Sequence, residues 1–372
     1  MGHSFFQRDS YRTNLVSASA LNDSQKWNQD LFREKPKSTS SIEAIEIRSP
    51  NDGAVLGKVE SCSKDEAHLA LEALYQHFHN LEFSSSLVFS NAQKLKRVAE
   101  RLGEEKELFA QRIASECGKP IRDARVEVDR AILTIQYSAE EALRLGGREV
   151  PMRASPASHQ HMAWTTHEPL GVVLAISAFN HPLNLMAHQV APALAVGCPI
   201  LFKPALETPL TCFEFLKILH ECGFTDTQIN IVYCSNVVAE SLVQSTRIRF
   251  FSFIGSSRVG WHLRSLLAPG VRFALEHGGT ASAFLEPSVD LTKVGPSLVK
   301  SAFYHAGQVC VSLQNLWVHR SILKETCAVL VDLVAKLKVG SALNEDSDLG
   351  PLIRKSDQKR IHEWVEEAKT MG

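Results

Sequence analysis

Between residues 171 and 276 the chain alternates short apolar runs with longer amphipathic stretches. The runs are rich in Val, Ile, Leu and Phe, which is typical of strands buried on both faces. The amphipathic stretches have the spacing of helices that cover such strands. The predicted strands are 171–177, 199–203, 229–234, 248–254 and 272–276, and the predicted helices are 183–196, 209–222, 237–245 and 258–267. This alternation predicts an α/β fold with a doubly wound parallel sheet.

Helical patterning also dominates the segment before this region. A hairpin is predicted over residues 42–59, followed by helices from 63 to about 146 that are interrupted at 118–120. After the central region, a helix–strand–helix alternation begins at residue 291, with a strand at 313–319 and a helix at 323–338. Residues 1–41 are polar and end in a run of Lys, Pro, Ser and Thr, which predicts a flexible N-terminal arm.

Composition and charge narrow the class of protein. The 372 residues are 44% hydrophobic and 22% charged, enough for two or three domains with buried cores. Forty basic residues balance 41 acidic ones without a long run of one sign, which disfavours nucleic acid as a partner. No stretch approaches the roughly 18 apolar residues of a membrane helix, and no apolar signal sequence is visible. We expect a soluble, cytoplasmic protein without a membrane partner.

The cysteines are scattered along the chain, and none forms a C-x-x-C pair. They are Cys62, Cys117, Cys198, Cys212, Cys222, Cys234, Cys310 and Cys327. This pattern predicts free thiols in a reducing compartment, no metal site and at most one reactive thiol. Cys310, which closely follows Gly307, is the candidate. For the other seven we expect the commoner fate of a cysteine, a small buried thiol.

Two further candidate segments lie at the ends of predicted strands. Gly255 and Gly260 frame a strand-to-helix turn, where backbone N–H groups can bind phosphate, although such a pair is more often structural. Glu276 ends a strand just before Gly278 and Gly279. Because ligands bind at the carboxyl ends of parallel strands, Glu276 is a candidate general base. The pattern alone leaves open a solvated loop glutamate.

Taken in order, these segments resemble the aldehyde dehydrogenase family, from about residue 42 to the last residue. Five motifs carry the resemblance: EPLGVVLAISAFNHP at 168–182, FKPALETP at 202–209, FIGSSRVG at 253–260, LEHGG at 275–279 and GQVC at 307–310. The texture is closest to the non-phosphorylating branch that acts on semialdehydes and lactaldehyde. The fold implied is a doubly wound cofactor domain plus a partial second α/β catalytic domain.

The resemblance implies oxidation of a small aldehyde or semialdehyde to the carboxylic acid with NAD or NADP. Cys310 would form a thiohemiacetal and then a thioester, and the Asn180 amide would hold the oxyanion with the Cys310 N–H. Glu276 would activate the hydrolytic water. Lys203 would bind the adenosine ribose. The remaining implied cofactor contacts are Ala178, Phe179, Pro204, Gly255, Ser256 and Gly278.

The resemblance also implies a division of the chain and possible alternatives. Residues 42–277 would bind NAD(P), with an oligomerisation hairpin around 147–167, and residues 278–372 would form the catalytic domain. Family members continue past the point that matches Gly372, so we expect an incomplete catalytic domain with exposed apolar surface. A complete chain would form a homodimer or homotetramer. The alternatives are a CoA-acylating relative, which Glu276 disfavours, and a truncated, inactive relative.

Two residues depart from the family pattern. His277 replaces the apolar residue that usually follows the general base, and it would alter the local field or be a tolerated loop substitution. Leu206 stands where many NAD-preferring members have a glutamate that binds the ribose hydroxyls. Since a carboxylate there would repel a 2'-phosphate, its absence predicts weak discrimination between NAD and NADP. Glu207 would partly substitute for it.

Overall fold

The computed structural model describes residues 44–371. The predicted arm at 1–41 lies outside them. The strands are β1 Ala44–Arg48, β2 Val55–Glu60, β3 Glu149–Val150, β4 Ala163–Trp164, β5 Val172–Ile176, β6 Ile200–Lys203, β7 Ile229–Ile231, β8 Ile248–Ile254, β9 Arg272–Glu276, β10 Ala281–Leu285 and β11 Leu313–Val318. The helices are α1 Lys64–His79, α2 Ser85–Glu104, α3 Lys106–Cys117, α4 Ile121–Arg144, α5 Pro182–Ala195, α6 Pro209–Glu221, α7 Asn236–Val243, α8 Ser257–Ser265, α9 Leu291–Phe303, α10 Leu323–Ala335 and α11 Lys355–Met371.

The largest sheet has five parallel strands in the order β7-β6-β5-β8-β9. Ile176 at the end of β5 pairs with Lys203 on one side and Phe253 on the other, so the carboxyl ends of these strands are level. The strand order reverses at β5, which is where doubly wound sheets bind ligands. The predicted doubly wound α/β fold is confirmed.

Apolar side chains of the central strands alternate between two layers of helices. Val173 and Ala175 of β5 pack with helices α2 to α6, whereas Val172, Leu174 and Ile176 pack with α1, α7 and α8. Both faces of the strand are therefore buried, which explains its uninterrupted apolar sequence. The break predicted at 118–120 is also present, because Gly118 ends α3 with a left-handed φ of 73°.

Smaller sheets surround this core. Strands β1 and β2 form the predicted hairpin, and β3 pairs with β4 in a short antiparallel ladder. Beyond the central sheet, β10 and β11 pair in parallel, and α9 packs on β11 and α10. The sequence analysis did not predict β10. Among residues 44–371, no helix has the length and apolar character needed to cross a membrane.

Two large aromatic side chains are exposed on the β10–β11 sheet. Phe284 and Trp317 are 73% and 60% exposed, and their rings stack with centroids 6.1 Å apart. They lie opposite each other in the β10–β11 register. Side chains of this size are usually among the more buried residues of a folded protein.

Candidate active site

Cys310 lies on an exposed loop that follows a sharp turn at the end of α9. His305, Ala306 and Gly307 all adopt positive φ, at 51°, 54° and 75°. Residues other than glycine rarely adopt positive φ, so two of them in succession store backbone strain that the surrounding structure must offset. Full burial of the His305 ring anchors the turn. The thiol-bearing loop therefore starts from a rigid backbone rather than from a free coil.

Gln308 fastens this loop to three neighbours. Its side-chain Nε2 donates to the His305 carbonyl at 3.1 Å, and its Oε1 accepts from the Ile353 N–H at 3.0 Å. Its backbone carbonyl accepts from Nδ2 of Asn180 at 2.7 Å. Sequence reasoning quoted Gln308 within the GQVC motif but gave it no role. The structure shows that it links the Cys310 loop to Asn180.

The position of Asn180 depends on a buried ion pair. Lys119 and Glu127 are paired and have no exposed side-chain surface. The Oε1 of Glu127 also accepts from the backbone N–H groups of Leu183 and Asn184, at 3.0 and 3.2 Å. These N–H groups belong to the first turn of α5, where N–H groups have no partner within the helix. Glu127 thus fixes the start of the helix that follows Asn180.

The segment after β9 approaches the same loop through its backbone. The N–H of Gly279 donates to the Cys310 carbonyl at 3.1 Å. A Cβ on Gly279 would lie 2.7 Å from that oxygen, whereas a Cβ on Gly278 would meet nothing within 4 Å. Only glycine therefore allows the contact at position 279. Sequence reasoning chose Gly278 of this pair as the candidate site residue.

Glu276 is exposed at the carboxyl end of β9. Its carbonyl accepts from the N–H of Gly255 at 3.0 Å, which ties the general-base candidate to the turn before α8. Its charge also reaches His188 on α5. Burial lowers the pKa of His188, and the charge of Glu276 partly opposes that change. The carboxylate of the candidate base therefore acts electrostatically on α5.

His277 packs as an aromatic residue against α8. Its ring centroid lies 5.4 Å from that of Trp261 and 6.3 Å from that of Phe253. Its buried Nε2 has no hydrogen-bond partner, and a Cβ on Gly260 would overlap the imidazole. The His277 ring therefore fills space between β8 and α8.

The carboxyl ends of β5, β6 and β8 offer hydrogen-bond donors suited to NAD(P). Lys203 ends β6 and is 5% exposed, and this burial lowers the pKa of its amine. The amine donates a hydrogen bond to the Pro204 carbonyl at 3.3 Å. Further N–H groups on the Lys203 amine remain to bind ribose hydroxyls. Ser256 caps α8 directly after Gly255, so the first turn of α8 lies where a pyrophosphate can bind. Ala178 and Phe179 are half-buried and follow the carboxyl end of β5. The residues present thus fit the cofactor.

The two positions considered for ribose selectivity differ in their surroundings. Leu206 packs in a small apolar cluster under β1 and β2, and its carbonyl accepts from the Tyr233 hydroxyl at 3.0 Å. Glu207 is paired with the guanidinium of Arg354, which also lies 5.7 Å from the Phe179 ring centroid. The Glu207 carboxylate is therefore already occupied by a cation. This contact weakens the expectation that it replaces the missing glutamate.

The cysteine expectation was wrong at two positions. Five of the seven other cysteines are buried, but Cys62 is half-buried and Cys327 is exposed. Cys327 lies on α10, a helix with only one buried residue, Thr326. Because α10 is largely exposed, its sequence pattern does not indicate whether Cys327 lies on the buried or the exposed face of the helix.

Comparison with known proteins identifies the family. Residues 37–372 match the model of the aldehyde dehydrogenase family. The chain is 34% identical over 335 residues to 3-sulfolactaldehyde dehydrogenase of Priestia aryabhattai, covering 90% of this chain and 69% of that protein. It is 33% identical to lactaldehyde dehydrogenase of Methanocaldococcus jannaschii, covering 89% and 70%. The chain thus spans about seven tenths of the length of these relatives.

Solved structures agree in fold. Aldehyde dehydrogenase 21 from Physcomitrella patens, in complex with succinate, superposes with a TM-score of 0.84 at 32% identity, covering 91% of this chain and 70% of that one. The NADP complex of GapN from M. jannaschii gives 0.83 at 31%, covering 89% and 72%. The NAD+ complex of betaine aldehyde dehydrogenase from Staphylococcus aureus gives 0.84 at 27%, covering 89% and 65%. This chain therefore belongs to the aldehyde dehydrogenase family and is an aldehyde dehydrogenase that uses NAD or NADP.

Proposed function

We propose that this chain oxidises a small aldehyde or semialdehyde to the carboxylic acid, with Cys310 as nucleophile and thioester hydrolysis as the last step. The contact between Gly279 and the Cys310 carbonyl supports this proposal most directly, because it joins the segment of Glu276 to the thiol loop. The hydrogen bond from Asn180 to Gln308 adds the third group. The three segments that carry the proposed catalytic residues are thus connected by hydrogen bonds, which supports the proposal.

In the first half-reaction the Cys310 thiolate adds to the aldehyde carbon. A C–S bond forms, and the carbonyl electron pair moves to oxygen. One N–H of the Asn180 amide is used by Gln308, and the other donates to the developing oxyanion together with the backbone N–H of Cys310. A donor of this kind contributes about 3 to 4 kcal/mol in comparable sites. When bound by Lys203, Gly255 and Ser256, NAD(P)+ supplies the acceptor for the hydride that leaves the carbon.

In the second half-reaction Glu276 takes a proton from water as the water oxygen bonds to the thioester carbon. The C–S bond then breaks, the Cys310 thiolate leaves, and the carboxylic acid is released. Glu276 suits this role because it is exposed and water can reach it. A CoA-acylating enzyme would need no such base, so Glu276 favours hydrolysis.

The substrate class is proposed from the relatives. Two of them are named for lactaldehyde and 3-sulfolactaldehyde, which are three-carbon aldehydes with a neighbouring hydroxyl. We propose that Ala178, Phe179, Pro204 and Gly278 complete the cofactor site. We also propose the division at 277/278, and that the β3–β4 ladder lies in an oligomerisation segment.

Rapid-mixing kinetics of three variants test the assignment. Cys310→Ser should bind cofactor but give no reduced cofactor. Glu276→Gln should give a burst of reduced cofactor, after which steady turnover falls by about 10² to 10⁴, the usual contribution of a general base. Asn180→Ala should slow the burst itself. Full turnover by Cys310→Ser would reject the nucleophile, and an equal fall of burst and steady rate in Glu276→Gln would make Glu276 structural.

Product analysis separates the two alternatives. Turnover that requires coenzyme A and yields an acyl-CoA would show the acylating reaction. Cofactor binding without any burst from a panel of three- and four-carbon aldehydes would show an inactive relative.

A further inference from the structure

Cys62 and Cys234 are far apart in sequence but adjacent in the fold. Cys62 follows β2 and precedes Ser63, the N-cap of α1, and Cys234 precedes Ser235, the N-cap of α7. The backbone N–H of Cys62 donates to the Tyr233 carbonyl at 2.8 Å. The two helices that begin here pack against each other. Backbone contacts therefore hold the two cysteines side by side.

The two thiols lie in the core layer that contains α1 and α7, where Cys62 packs against the apolar cluster that includes Cys234. Cys234 is fully buried, whereas Cys62 is half-buried, so solvent reaches the pair from the Cys62 side. Interaction with the neighbouring Cys62 thiol lowers the pKa of the Cys234 thiol, as does the positive charge of Lys203, although burial acts in the opposite direction. A thiolate is the reactive form of cysteine.

We propose that Cys62 and Cys234 are an oxidation site, at which a hydroperoxide converts the two thiols into a reversible intramolecular disulfide. A disulfide needs Cβ atoms about 3.5 to 4.5 Å apart. The two side chains share one buried cluster and their backbone segments are joined by a hydrogen bond, so little movement is required to reach that geometry. The charges of Cys234 and Cys62 act to raise the pKa of the Lys203 amine, so oxidation of the pair removes this electrostatic influence.

The reaction balances with the peroxide as the only oxidant. The pair first loses one proton to solvent, which leaves a thiolate on Cys234. The Cys62 proton then passes to Cys234, and the Cys62 thiolate attacks one peroxide oxygen. The O–O bond breaks, leaving a sulfenic acid on Cys62 and releasing hydroxide, which takes a proton from solvent. The Cys234 thiol then attacks the sulfenic sulfur, the S–S bond forms, and water leaves with the Cys234 proton. Two electrons pass from the thiols to the peroxide.

Other cysteines in the described part of the chain offer natural comparisons. The Cys212 thiol is buried and donates to the carbonyls of Pro182 and Thr208, both at 3.6 Å. Burial raises the pKa of Cys117, which is completely enclosed. Cys327 is exposed on α10 and tests accessibility without a thiol pair. Preferential oxidation at the pair would therefore reflect the partnership of the two thiols rather than exposure alone.

The experiment uses the full chain with Cys310→Ser, which removes the other proposed reactive thiol. Seven cysteines remain of the original eight. After brief treatment of the folded protein with hydrogen peroxide, we expect the loss of two thiols and a linked peptide that joins positions 62 and 234, lighter by two hydrogen atoms. Dithiothreitol should restore both thiols. Adding Cys62→Ser should leave Cys234 reduced, while adding Cys327→Ser should leave the linked peptide unchanged.

Three results would overturn the proposal. One is a sulfinic or sulfonic acid on Cys62 with Cys234 still reduced. Another is cross-linking only between molecules through Cys327. The third is a 62–234 peptide that forms only after unfolding in urea. Because the measurement follows peptide mass rather than turnover, its outcome is independent of the proposed catalytic role of Cys310.

Discussion

Replacing Gly279 with alanine should disturb the nucleophile loop without removing any catalytic group. The added methyl would lie 2.7 Å from the Cys310 carbonyl oxygen, and an ordinary contact needs about 3.4 Å. The two backbones must therefore separate by about 0.7 Å, and the hydrogen bond between them lengthens. Since misplacement of about 1 Å can cost about a hundredfold in rate, we expect the burst rate of reduced cofactor to fall by about tenfold to a hundredfold.

The assay is the burst rate of reduced cofactor at saturating aldehyde and cofactor, measured for Gly279→Ala beside two comparison variants. Gly103→Ala, on α2, has only Ile132 at 3.9 Å and should react at the parent rate. Gly278→Ala stiffens the same segment without an overlap, so its loss should be smaller. The burst loss corresponds to about 1.4 to 2.8 kcal/mol. A parental burst rate in Gly279→Ala would refute the idea that this contact positions Cys310.

Two other predictions concern pH and cofactor choice. Burial lowers the pKa of His181 from 6.5 to about 2. Below pH 6.5, position 181 therefore gains a proton in the unfolded chain but not in the folded one. The contribution of His181 to the free energy of unfolding thus falls by about 1.4 kcal/mol between pH 7.5 and pH 5.5. Urea titrations at pH 7.5 and 5.5 measure the loss of unfolding free energy between the two pH values. This loss should be smaller by that amount in His181→Phe, which keeps the stacking on Tyr304, and unchanged in the exposed-site variant His161→Gln. An unchanged loss in His181→Phe would contradict the burial argument. For the cofactor, kcat/KM should differ between NAD and NADP by less than about a thousandfold, roughly 4 kcal/mol. Leu206→Glu should lower kcat/KM with NADP more than Leu206→Gln does. A larger preference for NAD in the parent would show that the 206–207 turn does not set the cofactor preference.

The centre of the sheet was predictable because β5 is buried on both faces and so carries an uninterrupted apolar run. Strand β8, at Ile248–Ile254, has the predicted bounds, and the predicted start and end of β5 differ from the structure by one residue each. Strand β10 was missed because its five residues, ASAFL, include small side chains and only Leu285 is buried. A short, mostly exposed strand lacks the periodic signal on which sequence reasoning depends.

The site was predictable only as far as motifs extend. Motifs pointed to Cys310, Asn180 and Glu276, but the contacts that connect their segments involve residues with no shared local pattern. Glu127 is 56 residues from Leu183, and Gln308 is 45 residues from Ile353. Such pairings arise from tertiary packing, which a single sequence does not display. The Cys62 and Cys234 thiols, on different elements, were unpredictable for the same reason.

The buried pair of Lys119 and Glu127 restricts how this sequence can change over generations. Glu127 is held in place by two backbone N–H groups of α5, a demand that an apolar side chain cannot meet. Lys119 neutralises that enclosed carboxylate, and losing one partner of such a pair costs about 3 to 5 kcal/mol, a large part of the stability of an ordinary domain. A viable lineage must therefore alter both positions and the start of α5 almost together. We expect the three to be inherited as one unit, even where the surrounding surface diverges freely.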